Sequence, residues 1–200
     1  MDEQEAIARL KRGDIEGLEA LVKTYQLKAM RTAYLIVRDV PLAEDVVEDA
    51  FLRAYERICQ FDAKRPFEAW FLRIVVHIAQ RRAAQRERLV SLDGTKAHGE
   101  TALDELLADI QADPEESAEQ ADLRDALWAA LENLTPAQRA AIVQRYYWGL
   151  SEREIAIGLN CPLGTIKWWL HVARKRLREW LRPGWKTETR DGELTAQVIK

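Results

Sequence analysis

The chain has 200 residues, 48% of them hydrophobic and 32% charged, with 9 Gly and 6 Pro, which is the composition of a globular protein of one or two domains. No window approaches the roughly 18 consecutive apolar residues of a membrane span, and the start MDEQEAIARLKRGD lacks the apolar run of a secretory signal, so a cytoplasmic protein with no membrane insertion is expected. Cys59 and Cys161 stand far apart, as do His77, His98 and His171, which argues against a disulfide framework or a metal site.

Almost every segment shows helical spacing and none alternates in the manner of a strand, so the predicted class is all-α. After Gly13-Asp14, the residues Ile15, Leu18, Leu21, Val22 and Tyr25 lie on one helix face, and Ala29, Ala33, Ile36 and Val37 carry a second helical stretch. Asp39 is predicted to cap the next helix, with Pro41 in its first turn, where a missing N–H costs little. That helix runs to about Gln60, residues 62–66 form a short loop, and Phe67 to about Arg88 returns to helical spacing through Trp70, Phe71, Ile74, Val75 and Ile78. These four stretches make a first lobe, residues 1–90. From Ser91 to Asp122 ten acidic residues face one base, Lys96, and this stretch reads as an anionic linker. The second lobe, residues 123–182, opens with Leu123, Leu127, Leu131 and Leu134. Thr135-Pro136 reads as an N-cap and first helical residue, and the helix that follows runs to Trp148 and ends at Gly149. Ser151-Glu152-Arg153-Glu154 has the form of a capping box, Asn160-Cys161-Pro162 interrupts the short helix it starts, and a basic helix runs from about Leu163 to Leu181. The tail, residues 183–200, has too little periodicity to assign.

Charge is sorted along this order. Five arginines between Arg73 and Arg88 face only Glu87, and nine bases between Arg139 and Arg182 face three acids. Each block alone suits a solvated helix face. Two basic blocks flanking an acidic linker, in a chain of net charge -3, suit two footprints on a polyanion.

The segment from Ser151 to Leu181 has helix-turn-helix geometry. Ile155 and Leu159 face inward, Ala156 permits close approach, and Ile166, Leu170, Ala173 and Leu177 complete the core. Lys167, Trp168, His171, Arg174, Lys175 and Arg178 then point outward, an arrangement suited to a major groove, with the first residues near bases and the later arginines on phosphate. An ordinary helical hairpin with a basic face is the plainer alternative. In the first lobe, Glu44, Asp45, Glu48, Asp49 and Glu56 outnumber Arg53 and Arg57 on one helix, which suits a basic protein partner or simply solvent. The following helix mixes Phe67, Trp70 and Phe71 with its arginines. Aromatic faces and cations compensate for lost base stacking when a duplex opens, although Trp70 and Phe71 taken singly read as core. No nucleophile constellation, metal-ligand cluster or phosphate-binding Gly loop is present, so neither catalysis nor a cofactor is expected.

Specific motifs sharpen this reading. The second lobe carries Leu134-Thr-Pro-Ala-Gln-Arg139, Gly149-Leu-Ser-Glu-Arg-Glu-Ile-Ala156, Gly164-Thr-Ile-Lys167 and Arg174-Lys-Arg-Leu177. The first carries Ala43-Glu-Asp-Val-Val-Glu-Asp-Ala-Phe51 and Phe67-Glu-Ala-Trp-Phe-Leu-Arg-Ile74. In these motifs and their order the chain resembles the RNA polymerase sigma factors, specifically the extracytoplasmic-function group. The resemblance implies a transcription initiation factor that binds core RNA polymerase, recognises the minus-ten and minus-thirty-five promoter elements, and assists strand opening. It implies that Glu44, Asp45, Glu48, Asp49 and Arg53 meet the clamp coiled coil of the polymerase largest subunit. The 61–66 loop resembles the family's capture loop for a flipped minus-ten base. Phe61, Lys64, Arg65, Trp70, Arg73, His77, Arg81 and Arg82 would thus serve duplex and single-stranded promoter DNA, and Lys167, Trp168, His171, Arg174, Lys175 and Arg178 the minus-thirty-five element. The linker would thread through polymerase, and an anti-sigma factor is an expected partner. His77 and Arg81 stand where the family often has Asn and Asp, and Trp168, Trp169 and Val172 where polar residues or Arg are common, so base preference does not transfer. A freestanding helix-turn-helix regulator and a helical protein adaptor are the competing readings.

Overall fold

The computed structural model describes residues 1–93 and 126–181. Every regular element among them is helical, and the chain divides into a unit within Met1–Ala97 and another within His98–Lys200, in agreement with an all-α chain of two lobes. Residues 94–122 of the expected linker and the expected tail, 183–200, lie outside the described residues.

The first unit begins with a helix that the sequence reading left out, α1 (Glu3–Lys11). The Asp2 carboxylate accepts the Glu5 N–H at 2.7 Å, and acids in the first turn with Arg9 and Lys11 in the last suit the helix dipole. Its Ala6, Ile7 and Leu10 are buried against α2 (Glu16–Val37). Here a single helix replaces the two stretches expected, because no Gly or Pro interrupts the chain between Tyr25 and Ala29. Ile15, expected on the apolar face, sits before the helix and is 60% exposed. Arg38 ends α2 in the left-handed region, φ 60°, with its N–H donating to the Tyr34 carbonyl. Asp39 then caps α3 (Val40–Arg57) by accepting the Leu42 N–H at 2.8 Å, with Pro41 in the first turn as expected.

A 3₁₀ turn, Ile58–Gln60, leads into the exposed 62–66 loop and then α4 (Phe67–Asp93). The helices α2, α3 and α4 close around an aromatic core. Phe51 lies 4.5 Å from Phe71 between ring centroids, and Tyr25 lies 5.4 Å from Phe67. The Tyr25 hydroxyl donates to the Glu3 carboxylate, which ties α1 over α2. Burial first, then the charge and hydrogen bond of Glu3, push the Tyr25 phenol above its ordinary range.

In the second unit, helical backbone over residues 126–132 forms α5, and Thr135 and Gln138 make a reciprocal capping box that starts α6 (Pro136–Ile142). The helix was expected to continue to Trp148, but it widens into a π turn over Val143–Tyr147, with the Trp148 N–H reaching back to the Val143 carbonyl at 3.2 Å. Buried Gln144 donates to the Ala140 carbonyl within that turn. Ser151 and Glu154 form the capping box predicted for α7 (Glu152–Leu159), which Asn160 ends at φ 50°, a conformation Asn tolerates. The last helix is α8 (Leu163–Leu181).

Candidate nucleic-acid interface

The helix α8 has the two faces expected of it. Ile166, Leu170, Ala173 and Leu177 are buried together with Ile155 and Leu159 of α7, and each buried Ile or Leu side chain contributes about 1.5–3 kcal/mol. Lys167, Trp168, His171, Lys175 and Arg178 are exposed on the other face, with Trp168 at 59%. Trp169 is half-buried. Arg174 differs from its neighbours, being half-buried with its Nε donating to the Leu170 carbonyl at 3.2 Å. Where α7 and α8 begin, a cleft of about 470 Å³ is lined by Arg145, Ser151, Glu152, Arg153, Leu163 and Lys167. Lys167 thus stands beside two further cations that the sequence reading counted without placing.

Two other bases of that block serve the fold. Arg139 is 4% exposed and donates to the Leu134 carbonyl at 2.7 Å. Arg176 donates to the Asn133 carbonyl at 3.0 Å, which pins α8 to the turn between α5 and α6.

In the first unit, Trp70, Arg73, His77 and Arg81 follow one another at spacings of three and four residues, so they share one stripe of α4. Trp70 and His77 are half-buried, while Arg73 and Arg81 are exposed and make no ion pair among the described residues. Arg82 and Arg86 point elsewhere. Arg82 pairs with Asp49 at 2.6 Å and Arg86 with Asp39 at 2.8 Å, so both close the seam between α4 and α3. The expected DNA contact Arg82 and the expected polymerase contact Asp49 are therefore each other's partners here.

Lys64 and Arg65 are exposed on the 62–66 loop, where the Asp62 side chain accepts the Lys64 N–H at 3.0 Å and pairs with Arg65 at 3.6 Å. Phe61 does not share that exposure. Its ring is 3% exposed, packed 5.0 Å from Trp70 and 5.5 Å from Phe67, because it closes the end of the aromatic core. Phe71 is fully buried.

On α3, Glu44, Asp45 and Glu48 are exposed, and Arg53 is half-buried. The same helix exposes Leu52 at 53% and Tyr55 at 41%, which the sequence reading missed. Their signal was available. The buried residues Ala43, Val46, Val47, Ala50, Phe51 and Ala54 define the inner face, and Leu52 and Tyr55 fall outside it.

Residues 21–89 match Sigma-70 region 2, and residues 124–177 match Sigma-70, region 4. The ECF RNA polymerase sigma factor SigW of Bacillus subtilis is 32% identical over 178 residues, covering 88% of this chain and 95% of SigW. The chain belongs to the sigma-70 family. Its relatives are sigma factors of the extracytoplasmic-function group, and its role is in transcription initiation. The ECF RNA polymerase sigma-E factor of Escherichia coli is 31% identical over 191 residues, covering 92% of this sigma factor and 96% of its own length. Among solved structures, the sigma factor RpoE of Bartonella quintana, determined in complex with the anti-sigma factor NepR, superposes with a TM-score of 0.62 at 25% identity, covering 82% of this chain and 96% of that one. CnrH, determined with the cytosolic domain of CnrY, shares the fold at a TM-score of 0.58 and 20% identity, covering 90% and 96%. None of the described helices is long and apolar enough to cross a membrane.

Proposed function

We propose that this sigma factor works as a two-lobed adaptor between core RNA polymerase and a promoter, with residues 1–90 serving polymerase binding and the minus-ten element and residues 123–182 the minus-thirty-five element. The observation that carries the reading is the sided surface of α8, whose apolar stripe is buried while Lys167, Trp168, His171, Lys175 and Arg178 remain exposed. The exposed start of such a helix suits base edges and its later cations suit phosphate. The cleft at that start sets Arg145 and Arg153 against Glu152, which leaves a net positive charge beside Lys167.

In the first lobe, the α4 stripe of Trp70, Arg73, His77 and Arg81, with Lys64 and Arg65 just before it, suits a single strand, which aromatic faces and cations recognise together. Phe61 acts beneath this surface as a support. Glu44, Asp45 and Glu48 beside exposed Leu52 and Tyr55 make an acidic face with apolar anchors, which suits a basic protein surface better than solvent alone. A freestanding DNA-binding regulator would have no use for that face. The factor performs no chemistry of its own, works in the cytoplasm where its polymerase is, and is held in check by an anti-sigma factor, as RpoE is bound by NepR.

Run-off transcription by purified core polymerase on a genomic promoter library, with and without the chain, tests this. New start sites that appear only with the chain, preceded by two shared sequence elements, are the expected result. Promoter binding by the chain with no effect of added polymerase would favour the freestanding regulator, and no DNA dependence at all would favour a protein adaptor.

A further inference from the structure

The exposed loop at residues 62–66 has little packing to hold it, yet it must present Lys64 and Arg65 at a fixed place beside the α4 stripe. Its first fixed point is Phe61, whose ring is buried and whose N–H donates to the Ile58 carbonyl at 3.1 Å. The Phe61 carbonyl is the last backbone acceptor before the loop. It accepts from Lys11 Nζ at 2.7 Å, across fifty residues of sequence. The same ammonium lies 5.8 Å from the Phe61 ring centroid. From there Asp62 carries the order forward, bonding the Lys64 N–H and pairing with Arg65, while its carbonyl accepts the Arg65 N–H at 2.9 Å.

Lys11 can do this because of where α1 lies. Ile7 and Leu10 are each 2% exposed, and Gly17 lets the two backbones approach so closely that a Cβ there would stand 2.4 Å from the Ala6 carbonyl oxygen. The last residue of α1 is thereby brought to the root of the loop. A second base in that turn, Arg9, is engaged elsewhere, with Glu16 at 2.7 Å.

We propose that Lys11 is a positioning residue for promoter opening: its ammonium sets the Phe61 carbonyl and hence the loop that presents Lys64 and Arg65 to the unpaired minus-ten strand. This rests on the reading of the loop as a single-strand contact given above. An ammonium held on a carbonyl is a charge-assisted bond, about twice as strong as a neutral one. Its loss leaves the Phe61 carbonyl held only through the buried ring and the Phe61 N–H, so part of the cost of ordering the loop falls on DNA binding.

The test uses the full chain bound to core polymerase and two DNA probes: a fork whose minus-ten segment is single-stranded and carries 2-aminopurine, and an intact duplex with the minus-thirty-five element alone. Lys11→Met keeps an unbranched side chain of similar length and removes the ammonium, and with it both the bond to the Phe61 carbonyl and the charge over the Phe61 ring. It should weaken fork binding about tenfold, equivalent to about 1.4 kcal/mol, and reduce the 2-aminopurine signal, while the duplex affinity stays unchanged. Lys11→Arg, which restores a charged donor, should recover fork binding to within about twofold, a difference of about 0.4 kcal/mol. The paired change Lys64→Ala and Arg65→Ala separates the two layers of the argument. If it weakens fork binding and Lys11→Met does not, the proposal fails and the loop reading stands. If it leaves fork binding unchanged, both fall. Equal losses in Lys11→Met and Lys11→Arg, on both probes, would reveal general damage to α1 and overturn the positioning role. Lys11→Leu, which also lacks a donor and favours helix, repeats the comparison if the Met variant loses helicity.

Discussion

Gly17→Ala and Gly164→Ala are the same substitution near the start of two helices, and the structure gives them opposite signs. At Gly17 the new methyl would stand 2.4 Å from the Ala6 carbonyl oxygen and 2.7 Å from the Leu10 nitrogen, both backbone atoms that cannot rotate away. Either α1 shifts, at the usual overpacking cost of about 1–3 kcal/mol, or it leaves. Leaving forfeits the burial of Ile7 and Leu10, about 1.5–3 kcal/mol each, together with the Glu3 and Lys11 contacts, so undocking costs more than the shift. Ala recovers up to about 1 kcal/mol of helix propensity. The cheaper route sets the cost, so the net expectation for α1 is a loss of up to about 3 kcal/mol. Gly164 has nothing within 4 Å of its added Cβ and keeps the propensity gain. Site-resolved hydrogen exchange of the Ala6–Lys11 amides measures the first effect, with amides of α7 and α8 in the other unit as internal control. Unchanged α1 protection in Gly17→Ala, or a rise like that of Gly164→Ala, would refute the close approach and the placement of Lys11 that depends on it.

Asp49→Asn removes the negative charge paired with Arg82; as the pair is more than a third exposed on both sides, stability should fall by less than about 1 kcal/mol. Single-strand affinity should rise, with the log-affinity against log-salt slope steepening by roughly one unit, seen in salt titrations of the polymerase complex. Glu154 is held below its ordinary value of 4.5, first by the Ser151 hydroxyl and then by the Ser151 N–H. A carboxylate depressed in the folded state contributes stability above its unfolded pKa and loses it as pH falls from about 4.5 through the folded value. Thermal melts of Glu154→Gln should therefore lack that part of the acid dependence. On α8, Lys167→Ala and Trp168→Ala should re-rank minus-thirty-five variants, with roughly 1–3 kcal/mol at stake in a base contact. Arg178→Ala should weaken all variants alike and flatten the salt slope by roughly one unit, and re-ranking by Arg178→Ala alone would reverse the orientation of the helix.

Short-range rules carried most of the fold. Thr135-Pro136, Ser151 with Glu154, and Asp39 with Pro41 are capping signals that depend on neighbouring residues only, and each forms where expected. What was not legible depends on partners distant in sequence. Helix α1 is polar enough to look like a free terminus, and its stability comes from burial against α2 through Gly17 and from the Glu3 contact with Tyr25. The π turn after Ile142 is an exception: it is local, with Gln144 bonding the Ala140 carbonyl four residues back, but its wider turn leaves no mark on the apolar period. For the site, the outward face of α8 followed from spacing because one apolar stripe fixes the other side. The roles of Arg139 and Arg176 did not, since a basic count treats a guanidinium on a carbonyl and one in solvent alike.

The same distinction explains how a chain of net charge -3 can offer surfaces of both signs on adjacent helices. A count gives α4 five arginines from Arg73 to Arg88 and α3 a surplus of acids. Packing then consumes one subset of each: Arg82 and Arg86 meet Asp49 and Asp39 along the seam. Exposed Arg73 and Arg81 remain on α4, and exposed Glu44, Asp45 and Glu48 on α3. Packed helices lie about 8–10 Å apart axis to axis, and their exposed side chains extend farther. At physiological salt the screening length is about 8 Å. Neither remaining set therefore cancels the other through solvent, and the seam between them is already neutral. The acidic set can face a basic protein while the basic set faces phosphate, without net charge on the whole chain deciding either contact.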